Sequence, residues 1–273
     1  VSFSKHSLPA LVIGVAMHLM ICTIVFAQDF ASAAPPWPRG AAGPLLEDGL
    51  PPANTRFALD ATVTRWFGLP SFETRSLATM ARFHTVVVAA GAAQTGGPEV
   101  GWTAAGLAIG AASTRGGVAV RGVARRDRLT SFALNGDPHT AGGEVGVGAW
   151  AATGESVRLW ASAPQLWREG AAPPLGRALA LGVAWEGDGL SAWLGRRAVV
   201  GVSGERHGEH EAGVTLGGPA LALWCAARDR PLRASLGVTA GLGSVRSAAA
   251  FDSHPVLAET SRLTLSLAHG HEP

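Results

Sequence analysis

The sequence predicts an all-β, antiparallel transmembrane β-barrel, and three observations predict it. Segments of roughly 8 to 12 residues alternate larger apolar with smaller or polar residues at a period of two, the signature of extended chain with two unlike faces. Tight, glycine-bearing turns alternate along the chain with longer connections. Hydrophobic residues make up 47% of the 273 residues and charged residues only 15%, well below the roughly 25% usual for a soluble domain. No apolar run after the N-terminus approaches the roughly 20 residues of a spanning helix, so strands would carry the chain across a membrane. The balance of 22 basic against 20 acidic residues argues against a nucleic-acid binder, which needs a basic surplus.

The N-terminus reads as a targeting segment. Lys5 and His6 precede an apolar stretch from Leu8 to Ala27, and Ala31-Ser32-Ala33 supplies small residues for cleavage. A secretory signal peptide is therefore expected over residues 1–33. Val25-Phe26-Ala27 is an earlier cleavage option, and an uncleaved anchor is the alternative, because the apolar core exceeds the usual 7–15 residues. Residues 34–55, opening with Pro35-Pro36-Trp37-Pro38, are rich in Pro and Gly and are expected to be an extended, poorly packed lead-in. The barrel domain is expected over 56–273. Of the two cysteines, Cys22 falls in the leader, and Cys225 alternates with Leu221 and Leu223 as a small apolar strand residue. Neither a disulfide nor a structural zinc site is expected.

From the alternation, strands are expected at about 81–93, 99–112, 117–127, 144–153, 156–163, 177–186, 189–199, 211–217, 220–228, 232–241, 244–251 and 260–268. Val157/Leu159/Ala161 against Arg158/Trp160/Ser162 shows the pattern, as does Leu263/Leu265/Leu267 against Arg262/Thr264/Ser266. Ten residues at about 3.3 Å each, tilted by about 40°, climb about 25 Å, the height of the apolar band of an outer-membrane barrel. The segment Arg56–Arg65, with Phe57, Leu59, Ala61 and Val63 on one face, also reads as a strand. Paired with 71–79 across Gly68-Leu69-Pro70 it would make fourteen strands; outside the barrel it leaves twelve, the number expected here. The short connections 114–117, 153–155, 186–189, 217–219 and 241–243 would be the periplasmic turns, with both termini on that side. The short Asp229-Arg230-Pro231 connection breaks the alternation. A secreted β-sandwich is the soluble alternative, but its outer face needs more Lys, Glu, Asp and Asn than these strands carry.

Two stretches suggest a family. Glu73-Thr74-Arg75-Ser76-Leu77-Ala78 resembles the early, small-residue-rich segment of barrels related to PorV and the fatty-acid transporter FadL. His254-Pro255-Val256-Leu257 followed by Thr260-Ser261-Arg262-Leu263-Thr264-Leu265-Ser266-Leu267 is similar to their closing hairpin. The resemblance implies a fourteen-stranded barrel and, for FadL relatives, a path for hydrophobic ligands. It carries over no binding residue. The chain departs from the pattern at its end, His269-Gly270-His271-Glu272-Pro273, where the usual terminal aromatic residue is missing.

Charge placement carries the functional expectation. Arg121, Arg158, Arg233, Arg246 and Arg262 fall on the face opposite the larger apolar residues, whereas acids other than Asp60 cluster in turns and loops. With the apolar face against outer-membrane lipid, these arginines would line the lumen and favour small anions. The competing structural role is to stack, bind backbone carbonyls and reach carboxylates in a plugged interior. Trp150, Trp160, Trp185, Trp193 and Trp224 are expected on the same face, with interface girdles as the alternative.

The stretch Glu205-Arg206-His207-Gly208-Glu209-His210-Glu211 is expected to be a hydrated external loop, with His207 and His210 as weak metal candidates. Asp252-Ser253-His254 contains the residue types of a hydrolase triad, yet neighbours on extended chain point apart and cannot form the relay unaided. The expected function is a passive outer-membrane channel or scaffold without cofactor. A closed barrel that binds a protein partner or surface polymer through its loops is the second reading.

Overall fold

The computed structural model describes residues 42–69, 72–96, 100–129, 139–170, 177–200, 206–229, 232–253 and 259–270. The leader lies outside the described residues. Fourteen antiparallel strands close into one barrel: β1 (Thr55–Arg65), β2 (Glu73–Phe83), β3 (Val86–Gly96), β4 (Val100–Ala112), β5 (Gly116–Leu129), β6 (His139–Ala152), β7 (Val157–Gly170), β8 (Arg177–Gly187), β9 (Leu190–Val200), β10 (Arg206–Gly217), β11 (Leu221–Arg228), β12 (Arg233–Leu242), β13 (Val245–Asp252) and β14 (Thr260–Gly270). Among the described residues one helix, α1 (Ala42–Asp48), precedes them. Each strand pairs with its sequence neighbours, and β1 closes the ring on β14 with Asp60 opposite Ser266, Thr62 opposite Thr264 and Thr64 opposite Arg262. Closure leaves no exposed sheet edge, the condition under which strands can cross lipid. It also excludes the sandwich alternative.

The expected count of twelve is corrected to fourteen. Both β1 and β2 belong to the wall, joined through a short 3-10 turn at Trp66–Gly68. Residues 81–93, expected as one strand, straddle the β2–β3 hairpin, whose tip is His84-Thr85. His84 takes a left-handed φ of 60° where a glycine or asparagine normally announces such a turn, so the sequence gives no sign of it. Several strands also run further than alternation suggested: β5 to Leu129, β7 to Gly170, and β10 from Arg206.

The two faces differ sharply. Leu107 is 66% exposed and Leu263 58%, on the outer surface shared with Leu59, Ile109, Val120, Leu181, Leu194 and Leu223. In water such a belt would far exceed the patch a soluble monomer tolerates, and it fits acyl chains. Cys225 lies on this outer face, alternating with buried-side neighbours on β11.

The expectation of an unpacked lead-in is corrected for its described part, residues 34–41 lying outside the described residues. Residues 42–53 fold into the lumen. Pro44 sits in the first turn of α1, where a missing N–H costs nothing, and Gly49 at φ 68° ends the helix, its N–H donating to the Leu45 carbonyl. Leu45 is fully buried among Ala58, Ala78, Met80, Val87, Ala89, Ala108 and Ala119. Many inward positions of β2 to β5, among them Ala78, Ala89, Gly91, Ala108 and Ala119, are small and leave the helix its space. A Cβ on Gly91 would lie 2.6 Å from Leu46 Cδ1, and one on Gly148 would lie 2.3 Å from the Asp48 carbonyl oxygen.

Gly148→Val should therefore unseat the inserted segment, since overpacking of this kind costs about 1–3 kcal/mol. Limited proteolysis of the purified barrel should cut within residues 42–54 about tenfold faster in the variant, with heat-modifiable migration of the barrel retained.

Candidate functional site

Alternation places Asp60 on the inner face of β1, and the helix start lies directly against it. Its Oδ2 accepts from the backbone N–H of Ala42 at 2.8 Å and of Gly43 at 3.0 Å. A carboxylate at a helix N-terminus satisfies orphan donors and complements the helix dipole. The other end of α1 is held by Arg121, 5% exposed, whose guanidinium donates to the Leu46 carbonyl at 3.0 Å. The same guanidinium reaches Glu144 Oε1 and the Pro164 carbonyl, each at 2.6 Å. Downstream, Ser162 Oγ donates to the Asp48 carbonyl at 2.8 Å, and Trp150 Nε1 donates to the Pro51 carbonyl at 2.7 Å. Arg82 donates to the carbonyls of Pro52 and Ala53. The inserted segment is thus tied to five strands.

Pro164 and Gln165 belong to a bulge in β7. The register against β6 runs from Val147↔Ala163 to Val145↔Trp167, so the extra residues bend toward the lumen. Gln165 donates to Glu144 Oε2 at 3.0 Å, completing the Arg121–Glu144 group.

The remaining lumen is filled differently. Trp150 and Trp160 stand opposite each other on β6 and β7, and Trp193 is 4% exposed on β9. The indoles lie across glycines of nearby strands: Trp160 over Gly182 on the adjacent β8 and Gly195 on the next strand β9, Trp193 over Gly213, and Trp224 over Gly237. Trp185 is the correction to the expected Trp face, because it is 42% exposed and lies outside with Val183. Toward the longer loops, β10 presents Glu209 and Glu211 inward against Arg228 and Arg233. The pairs measure 2.8 Å for Arg228–Glu211 and 3.6 Å for Arg233–Glu209.

The five arginines singled out by the sequence divide by partner. Arg121 binds the helix and Glu144. Arg158 stacks over Trp150 at 5.0 Å and meets Glu186 at 3.1 Å. Arg233 is buried beside Glu209. Arg246, opposite Ser266, and Arg262, opposite Thr64, have no hydrogen-bond or ion-pair partner among the described residues. Arg246 lies near the tight-turn end and Arg262 near the other.

The expected loop 205–211 is corrected: from Arg206 it is strand β10. The side chain of His207 lies outside the described residues. His210 Nδ1 lies 3.0 Å from Asp229 Oδ2. No group of three or more metal-competent side chains occurs among the described residues. Ser253 Oγ accepts from the Ala234 N–H at 2.8 Å, extending the β12–β13 ladder, and His254 lies outside the described residues.

A cavity of about 270 Å³ remains between α1 and the wall formed by β1 to β7 and β14. Its lining includes Leu46, Asp60, Thr64, Trp102, Arg121 and Arg262. Reasoning from sequence flagged Asp60 as the one acid well within a strand, and missed what it holds, because a Pro/Gly-rich lead-in gave no helical pattern.

No protein-family model matches the sequence, and no curated protein is similar to it by sequence. Solved structures share the fold. The toluene transporter TbuX of Ralstonia pickettii has a TM-score of 0.52 at 11% identity, over 83% of this chain and 92% of that one. The toluene transporter TodX of P. putida scores 0.51 at 10% identity, over 84% and 92%. A TodX deletion mutant, described as a monoaromatic hydrocarbon channel, scores 0.55 at 9% identity, over 89% and 98%. The chain is therefore a closed barrel with the architecture of outer-membrane channel proteins, and the likeness to FadL-type barrels holds at the level of fold.

Removing the Arg121 guanidinium would leave the partly buried Glu144 without its cation and the Leu46 and Pro164 carbonyls without their donor, at a cost of about 3 kcal/mol. Arg121→Ala should lower the unfolding midpoint of the refolded barrel clearly more than Arg246→Ala does, measured by heat-modifiability across a temperature series.

Proposed function

We propose that this protein is a passive channel of the outer membrane of a Gram-negative-type bacterium, narrowed by its own N-terminal segment. The observation that carries the reading is the insertion of residues 42–53 into a barrel whose outer face is apolar and whose inner face combines an apolar cluster around Leu45 with polar side chains. The segment is held by discrete polar contacts at Asp60, Arg121, Ser162 and Trp150. Such contacts can be exchanged for water, unlike a fully apolar plug. The channel fold of the structural neighbours supports the same class.

The interior gives a mild preference for anions, carried by Arg246 and Arg262 rather than by all five strand arginines. Arg121, Arg158 and Arg233 are neutralised by Glu144, Glu186 and Glu209, and a compensated charge contributes little field along a pore. The two unpaired guanidinium groups stand near opposite ends of the lumen.

Planar-bilayer recording tests both statements. The wild-type barrel should show small, infrequent openings, and Asp60→Ala should raise open probability severalfold by freeing the helix start. Reversal potentials in a salt gradient should show anion preference that falls in the Arg246→Gln, Arg262→Gln double variant. Absence of any conductance in wild type and in Asp60→Ala would reject the channel, and cation preference in wild type would reject the arginine assignment.

A further inference from the structure

We infer that the luminal cavity is a binding site for a small organic carboxylate with an apolar body, its anionic end received by Arg262. The inference deepens the channel reading by naming the solute class. The cavity, about 270 Å³, is at the small edge of the roughly 300–1,000 Å³ clefts that hold compact organic ligands. Its charged groups are mostly spent on the protein itself. Arg121 is committed to Glu144 and the helix, Arg125 to Asp127 at 2.5 Å and to the face of Trp102, and Asp60 to the helix amides. Arg168 also has a partner.

Arg262 is the exception. Among the described residues it is the one cavity-lining guanidinium with no hydrogen-bond or ion-pair partner, and its Nε is buried and unsatisfied. A buried orphan donor on a cation is costly unless an acceptor arrives. A carboxylate supplies one with the planar, two-oxygen geometry that a guanidinium matches. The hydroxyl of Thr64, directly opposite on β1, flanks the same position.

The rest of the cavity fixes which carboxylate. Leu46, Ala78, Gly91 and Trp102 offer aliphatic and aromatic wall. The lining's other buried orphans are two acceptors, Asp60 Oδ1 and Gln165 Oε1, and two donors, Trp102 Nε1 and the Nε of the otherwise committed Arg121. Asp60 lies four residues from Thr64 along β1, about 13 Å at strand rise. It would repel a second anionic group, so the occupant is a monocarboxylate with its apolar part directed toward the helix. Inorganic anions satisfy Arg262 but leave the apolar wall empty.

The test is isothermal titration of the full chain, refolded in detergent micelles, with benzoate, benzamide and inorganic phosphate. Benzoate should bind at least about tenfold more tightly than benzamide, the difference expected when one charged hydrogen-bonded pair is lost. Phosphate should bind more weakly than benzoate. Arg262→Gln should remove the preference for benzoate over benzamide, and Arg262→Lys should restore part of it. Equal binding of benzoate and benzamide to the wild type would overturn the inference without recourse to any variant. So would phosphate binding as tight as benzoate, or an Arg262→Gln barrel that keeps the preference while migrating as a folded, heat-modifiable species. Because no transport is measured, a barrel that binds benzoate but passes no current would sink the channel reading alone. A conducting barrel indifferent to the carboxylate would sink this one alone.

Discussion

A fourteen-stranded barrel encloses more space than its own short side chains can fill, and everything inside this molecule answers that constraint. The decisive contact is Asp60 with the amides of Ala42 and Gly43. Without it, the first turn of α1 would present bare N–H groups to a water-poor interior, an arrangement that folded proteins avoid. With it, Leu45 can bury completely against the alanines of β2 to β5. The carboxylate itself is affordable there only because two donors face it. Helix and strand acid therefore require each other.

Volume is supplied in two ways around the ring. Where α1 lies, most inward residues apart from Met80, Val87 and Arg121 are alanine or glycine, and the helix brings the bulk. Where it does not, Trp150, Trp160, Trp193 and Trp224 fold flat across glycines of adjacent strands, covering weak positions of the sheet with aromatic surface. Closer to the longer loops, guanidinium–carboxylate pairs on β10 to β12 do the same work with polar groups. One strand alternation thus hides three unlike fillings. The polar one asks most of geometry, because each buried charge must meet its counterpart.

The wall was largely legible in the sequence and its contents were not. Period-two alternation marked most strands, and Phe57, Leu59, Ala61 and Val63 were correctly placed on one face, which is the outer one. It failed at His84-Thr85, where a residue without turn character takes a left-handed φ, and two strands merged into one. It failed again at Glu209 and Glu211, acids that look like loop residues until Arg228 and Arg233 are brought beside them from other strands. Arg121, Arg158 and Arg233 each meet a carboxylate, Glu144, Glu186 and Glu209 respectively. Their partners come from 23 residues away in the case of Glu144, a separation at which no local pattern speaks. The helix was invisible because seven residues containing Pro and Gly carry no amphipathic stripe.

The short tether between α1 and β1 bears on how such a wall is assembled. Helix contacts concentrate on β1 to β7, the half of the ring nearest to it in sequence. The first hairpins to associate can wrap around a mould that they carry themselves, before the seam with β14 exists. Loop-closure entropy is small for these early contacts, whereas joining Thr62 to Thr264 spans 202 residues. The helix is placed to template curvature as well as to stop the lumen, and the β1–β14 seam is the strand pairing with the largest sequence separation.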